Sequence, residues 1–108
     1  MRLLDPDLLK NMTERLVAEF DPDQVILFGS HAWGHPDENS DVDLYVVVPD
    51  SVEKPLSRAR RALRCLSGLQ VPKDVLVRTR REANKYRNVH ASLENLVFEK
   101  GRILYERH

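Results

Sequence analysis

Leu27-Phe28-Gly29-Ser30-His31-Ala32-Trp33-Gly34, followed five residues later by Ser40-Asp41-Val42-Asp43-Leu44-Tyr45, is the stretch on which the fold turns. Gln24 to Phe28 is a short run of branched and aromatic side chains ending at Gly29, the pattern of a buried strand. Between Ser30 and Ser40, the turn formers Gly34, Pro36, Asp37, Asn39 and Ser40 predict a loop with one helical turn after Ser30. Asp41 to Val48 reads as a second strand, buried on both faces beyond Asp43 and closed by Pro49-Asp50. Strand side chains alternate, so Asp41 and Asp43 share a face about 6.6 Å apart along the chain. Aspartate is disfavoured in strands, and such local conflicts gather at functional sites. Two bare carboxylates about 4 Å apart would repel by about 4 kcal/mol at an effective dielectric of about 20, so a bound cation gives a reason for the pairing. Taken alone, the pair leaves another reading open, with Asp41 a loop cap and Asp43 a solvated edge residue.

Outward from this stretch the chain alternates helix and strand. Asp5-Pro6-Asp7 opens a helix, since Asp5 can accept from orphan amides and proline suits the first helical position. Leu8, Leu9, Met12, Leu16, Val17 and Phe20 give it one apolar stripe before Asp21-Pro22 stops it. Ser51 to Leu69 reads as a helix into which Pro55 intrudes, with Ala59, Ala62, Leu63 and Leu66 inward and the Arg58 to Arg64 cluster on its wet face. Val71 to Val77 is a third strand. Thr79-Arg80-Arg81-Glu82 has the form of a capping box and starts a new helix. Ala91 to Glu99 is helical with Leu93, Leu96 and Val97 inward, and Ile103 to Tyr105 returns as an edge strand after Gly101. The order α-β-loop-β-α-β-α-β predicts an α/β (α+β) fold, a small mixed β-sheet flanked by helices. The apolar edge at Ile103 to Tyr105 leaves a homo-oligomer open.

Composition limits the function classes. With 108 residues, a single domain over 1–108 and one modest core are expected. The apolar runs Val25 to Phe28 and Leu44 to Val48 fall far short of the roughly 20 residues of a membrane span, and Met1 to Lys10 lacks the layout of a signal peptide. A soluble, cytoplasmic protein is expected. The lone Cys65 allows no internal disulfide and no cysteine-based zinc site, and reads as a small core residue. Lys and Arg total 17 against 17 Asp and Glu, a balance that argues against bulk DNA binding. His31 and His35 straddle Gly34 and precede Pro36, so no helix presents them together to zinc.

Chemistry concentrates at the strand ends. Amides at a turn like Gly29-Ser30, straight after a buried strand, suit phosphate oxygens. Asp74 lies in the strand expected beside the second, and if its side chain shares the face of Asp41 and Asp43, three carboxylates meet opposite that turn. Such a set suits two magnesium ions shared with substrate phosphates, with the third acid able to accept a proton from an attacking hydroxyl. This arrangement supports nucleotidyl transfer. Tyr45, two residues beyond Asp43, should share its face; it is a candidate for nucleotide contact or for receiving AMP, although a strand tyrosine is more often half-buried packing. Trp33 reads as packing, with stacking on a base as the alternative.

Gly29-Ser30, ten intervening residues, then Asp41-Val42-Asp43, with a downstream Asp74 and a closing Glu99 to Tyr105 segment, resembles the minimal nucleotidyltransferases of the DNA polymerase beta-like superfamily, and among them the MntA-type antitoxins of HEPN/MNT toxin-antitoxin systems. The resemblance implies a polymerase-beta-like fold, with Gly29, Ser30 and His31 at the nucleotide and Asp41, Asp43 and Asp74 as catalytic, metal-binding carboxylates. It implies two Mg2+ ions, ATP as substrate, and transfer of AMP to a tyrosine of a cognate HEPN ribonuclease toxin. One departure stands out: the family often reads Gly-Ser-Arg-Ala-Arg-Gly, where this chain has His31 and Trp33. Arg78 or Arg80 is then the expected replacement charge. Two other functions compete, a catalytically weak antitoxin that neutralises its partner by complex formation and a stand-alone transferase acting on RNA or a small alcohol.

Overall fold

A computed structural model describes residues 4–37 and 40–107 of the chain, so Asn39 in the expected loop lies outside the described residues. Helix α1 spans Pro6–Phe20, capped by the Asp5 carboxylate, which accepts from the Asp7 amide at 2.9 Å. It ends where Asp21 turns left-handed at φ 47°. Strand β1 follows at Gln24–Phe28, a single turn α2 at Ser30–Trp33, and strand β2 at Val42–Val48. Then come α3 (Pro55–Cys65), β3 (Lys73–Thr79), α4 (Arg80–Arg87), α5 (Leu93–Lys100) and β4 (Arg102–Glu106). The sheet order is β3-β2-β1-β4, with β1 antiparallel to both neighbours and β2 parallel to β3.

Alternation along the strands divides the core in two. Leu44, Val46, Val25, Leu27, Val75 and Val77 face one way and pack with Leu9, Met12 and Leu16 of α1 and Ala62 of α3. Ile26, Phe28, Tyr45 and Val47 face the other way and meet Ala83 of α4 and Val97 of α5. Burying a side chain such as Leu16 stabilises the fold by about 1.5–3 kcal/mol, and truncating it to alanine costs about 2–5 kcal/mol. The observed architecture is the expected mixed sheet flanked by helices. No helix among the described residues is long and apolar enough to cross a membrane.

Several boundaries differ from the sequence reading, each for a local reason. Asp41 precedes β2 instead of opening it. The third strand begins at Lys73 rather than Val71, because Pro72 has no amide to donate; its carbonyl still accepts from the Val42 amide at 2.8 Å. That strand continues to Thr79 because the helix cap there requires extended backbone. Helix α3 starts only at Pro55: the Asp50 carboxylate and the Ser51 hydroxyl take the amides of Ser51 and Glu53, holding a turn in front of it. Helix α5 starts at Leu93 behind the Ser92 cap, since Ala91 is left-handed at φ 65°. Leu93 and Leu96, expected inward, are exposed, and Val97 alone of the three is buried.

Candidate active site

Register places the acids. Asp43 lies opposite Phe28 on β1 and beside Asp74 on β3, so two carboxylates occupy adjacent positions on neighbouring parallel strands. Both project on the α4/α5 side of the sheet, because Asp43 alternates with buried Leu44 and Asp74 with buried Val75. Asp41 joins them from the segment leading into β2. Burial raises the Asp43 carboxyl above its ordinary range, and the negative charges of Asp41 and Asp74 push it further, while His31 acts in the opposite sense. Asp41, Asp74 and His31 thus all lie within electrostatic reach of Asp43.

Gly29 is shaped around Asp43. Its φ of 76° and ψ of −155° suit glycine, and a Cβ built there would lie 2.2 Å from Asp43 Oδ2. The chain then coils at once into α2, where the amides of Ala32 and Trp33 donate to the Gly29 carbonyl at 3.0 and 3.1 Å. The first amides of that turn, those of Ser30 and His31, have no acceptor within it, as at any helix start. His31 Nε2 lies 3.2 Å from the Ser40 carbonyl oxygen and ties α2 to the segment carrying Asp41. Gly29, Ser30, His31, Asp41, Asp43 and Asp74 therefore converge at one end of the sheet.

The other candidate residues are placed by their packing and partners. Tyr45 shares the Asp43 face but is fully buried and donates its hydroxyl to Glu94 Oε2 at 3.1 Å. Burial and Glu94 hold its hydroxyl protonated, so it is a packing residue and neither contacts nucleotide nor accepts AMP. Trp33 leans on Phe28, with ring centroids 6.3 Å apart, while remaining 39% exposed. Arg80 is engaged at the far end of the sheet by Asp23 and Gln24, at 3.3 and 3.1 Å. Arg78 lies level with Val47, four residues along β3 from Asp74. Neither arginine replaces a charge in the α2 turn.

Arg58, read as part of a wet helix face, is buried, and its guanidinium donates to both carboxylate oxygens of Glu82 at 2.7 and 3.0 Å and to the Val77 carbonyl at 2.9 Å. The signal was in the spacing: Arg58 falls four residues before Ala62 and eight before Leu66, on the inward stripe of α3. Glu82 also closes the expected capping box with Thr79, its Oε1 accepting from the Thr79 amide at 2.8 Å. This network ties α3 and α4 to the C-terminal end of β3.

A sequence profile of the nucleotidyltransferase domain matches residues 9–104. The chain belongs to this family. Among solved structures, a proposed nucleotidyltransferase from Sulfolobus solfataricus superimposes with a TM-score of 0.66 over 94% of this chain and 79% of that one, at 20% identity. At that identity the likeness establishes the fold. No curated protein sequence matches the chain. Members of the nucleotidyltransferase family use a nucleoside triphosphate and a divalent metal, and the residues gathered here are of the matching kind. The acids offer oxygen ligands only, which suits a hard cation, and Asp43 is held under like charge that a cation would relieve. Among the described residues no three His, Cys, Asp or Glu side chains close into a cage for an ion. That openness is compatible with magnesium, which is usually held by one or two carboxylates together with substrate phosphates.

Proposed function

We propose that this nucleotidyltransferase transfers AMP from ATP to a hydroxyl, and that the acceptor is a tyrosine of a cognate HEPN-type toxin. The observation that carries the transfer is the Gly29 backbone folded against the Asp43 carboxylate, with Asp74 in register beside it. In this reading Asp41, Asp43 and Asp74 are the residues that would hold Mg2+, which when bound neutralises the phosphates and the acids together. The Gly29-Ser30 turn presents its amides to phosphate oxygens, and His31 flanks them. Asp74 takes the proton of the acceptor hydroxyl as its oxygen bonds to the α-phosphorus, and pyrophosphate leaves with the electrons of the broken P–O bond. The choice of a protein acceptor rests on the resemblance to MntA-type antitoxins.

The test combines labelled ATP, Mg2+, this protein and a helical HEPN protein encoded beside it. Label is expected on a tyrosine of the partner and absent with Asp41→Asn or Asp43→Asn. Label that persists in both variants would overturn the assignment of these acids. A second reading, neutralisation by complex formation with transfer weak or lost, is favoured by one observation: His31, standing where the family often has arginine, has its ring held against the Ser40 carbonyl. Toxin neutralisation by an Asp43→Ala protein would select that reading.

A further inference from the structure

We infer that the acceptor protein docks on the hairpin of α4 and α5, presenting an apolar patch rimmed by carboxylates; this rests on the transfer to a protein tyrosine proposed above. Residues 84 to 91 are all exposed and hold Lys85 and Arg87 with no acid among them. The flanking acids are already engaged, Glu82 by Arg58 and the Thr79 amide, Glu94 by the Tyr45 hydroxyl. On α5, Glu99 is offset by Lys100. The hairpin is therefore locally positive in a chain whose 17 basic and 17 acidic residues balance. Neither Lys85 nor Arg87 forms an ion pair among the described residues. Each instead lies over a ring, Lys85 5.3 Å from the Tyr86 centroid and Arg87 4.2 Å from that of Phe98. Cations already seated on rings lose less freedom when a carboxylate arrives.

The same hairpin carries the apolar part. Tyr86, Val89, Leu93 and Leu96 are each at least 36% exposed, and beside Leu96 opens a cavity of about 580 Å3 lined also by His90, Ala91 and Lys100. The turn is pinned: the Ser92 hydroxyl donates to the Tyr86 carbonyl at 2.7 Å, the Asn95 side-chain amide donates to the Arg87 carbonyl at 3.0 Å, and Ala91 is held at φ 65°. A preordered surface costs less to bind, and Tyr and Arg are the side chains that most often anchor interfaces. Position selects this face over its rival. Leu56, Arg60, Leu63 and Arg64 give α3 a similar exposed composition, but α3 packs on the opposite side of the sheet. A row of rings joins the α4/α5 face to the acids: Arg87 lies over Phe98, Phe98 meets Tyr45 at 6.0 Å, Tyr45 meets Phe28 at 6.3 Å, and Phe28 is level with Asp43. A protein seated on α4 and α5 thus stands on the side to which Asp43 and Asp74 project.

Calorimetric titration of the helical HEPN protein encoded beside this chain tests the surface separately from transfer. Lys85→Glu with Arg87→Glu should weaken the complex at least about tenfold, while Arg60→Glu with Arg64→Glu on α3 should change it less than about twofold. The affinity for Mg2+ and ATP should be the same in both variants. Should the α4 double variant fail to fold by circular dichroism, Lys85→Glu with Leu96→Ser carries the same test. A complex indifferent to the α4 reversal, or one weakened equally by the α3 reversal, overturns the docking surface. A single-stranded RNA of about ten nucleotides is expected not to bind at physiological salt; binding that Tyr86→Ala abolishes would give the hairpin to RNA and overturn it too. Binding and labelling fail independently. A complex that needs Lys85 and Arg87 but yields no labelled tyrosine keeps the surface and removes the transfer, labelling with an indifferent complex does the reverse, and no complex at all removes both.

Discussion

Asp43 fills the space in which any residue but glycine at position 29 would place its Cβ, 2.2 Å from Asp43 Oδ2. Strand pairing brings Phe28 level with Asp43, and the chain reverses at the next residue. The glycine is therefore bound to the acid by space as well as by its φ of 76°.

Gly29→Ala should lower stability by about 2–3 kcal/mol, combining left-handed strain with the collision. In an Asp43→Ala background the carboxylate is gone, a tight 3.3 Å contact with the Cβ of residue 43 and the backbone strain remain, and the same substitution should cost about 1 kcal/mol less. Urea unfolding of the four proteins measures the coupling. Additive effects would mean that the two residues do not compete for space.

Gly101 and Gly68 separate these two causes elsewhere in the fold. At Gly101, φ is −70°, which any residue adopts, yet a Cβ would sit 2.4 Å from the Val97 carbonyl oxygen and 2.6 Å from Ile26 Cγ2. At Gly68, φ is 87° with nothing within 4 Å of the Cβ position. Gly101→Ala should cost about 2–3 kcal/mol by overpacking α5 and β4 against β1, and Gly68→Ala only about 1 kcal/mol by backbone strain. Thermal or urea melts rank them; equal costs would contradict the packing at Gly101.

Arg58 carries the third prediction. Its side chain is 4% exposed while that of Glu82 is 37% exposed, so Arg58→Met should cost about 3 kcal/mol by removing the donor to the Val77 carbonyl and the partner of Glu82. Arg60→Met, on the exposed face of the same helix, should change stability by less than about 0.5 kcal/mol. The Arg58 guanidinium lowers the Glu82 carboxyl from 4.5 to about 2. A depressed folded pKa contributes stability that is present above the unfolded value and lost as pH falls. The loss should therefore run from pH 4.5 down to about 2, and Glu82→Gln should flatten that part of the acid limb of stability against pH. Solvent at the exposed carboxylate reduces its size, so the slope rather than the magnitude is the readout.

Much of this is legible in the sequence, for physical reasons that also explain what is not. The strands built on Val25 to Phe28 and Leu44 to Val48 are legible because each holds an uninterrupted apolar run before a turn former, although Asp41 falls outside the second strand, and the Thr79-Glu82 box because cap chemistry is local. Arg58 lies inward by helical spacing, whereas its charge alone points to the wet face. Tyr45 takes the packing role, which a shared strand face alone does not select because it does not reveal whether a helix covers it; Glu94, from α5, lies 49 residues away in sequence. The convergence of Asp43 with Asp74 depended on strand order and register, which alternation along one strand cannot specify. Leu93 and Leu96 failed in the opposite direction, since an apolar stripe on a short helix does not say whether the chain itself supplies the cover.

Asp43→Asn sets stability against function. The carboxyl is raised by its burial and by Asp41 and Asp74, so its ionised form is less favourable in the folded chain than in the unfolded one. A raised folded pKa means a penalty that is present when the group is ionised at neutral pH and that disappears as pH falls and the group protonates. Asparagine keeps the shape without the charge, so the variant should melt higher than wild type at pH 7, with the difference shrinking in acid. Nucleotidyl transfer should fall by about 10²–10³-fold in the same variant, because a charged group at the reacting centre is lost. Added Mg2+ should raise the melting temperature of the wild-type protein more than that of the variant, as expected for a ligand held by the missing carboxylate. Melting curves at pH 7 and pH 4, with and without Mg2+, distinguish the outcomes. A variant that melts lower than wild type at pH 7 would mean that Asp43 is already compensated by the protein, and the case for a cation between these acids would lose its electrostatic basis.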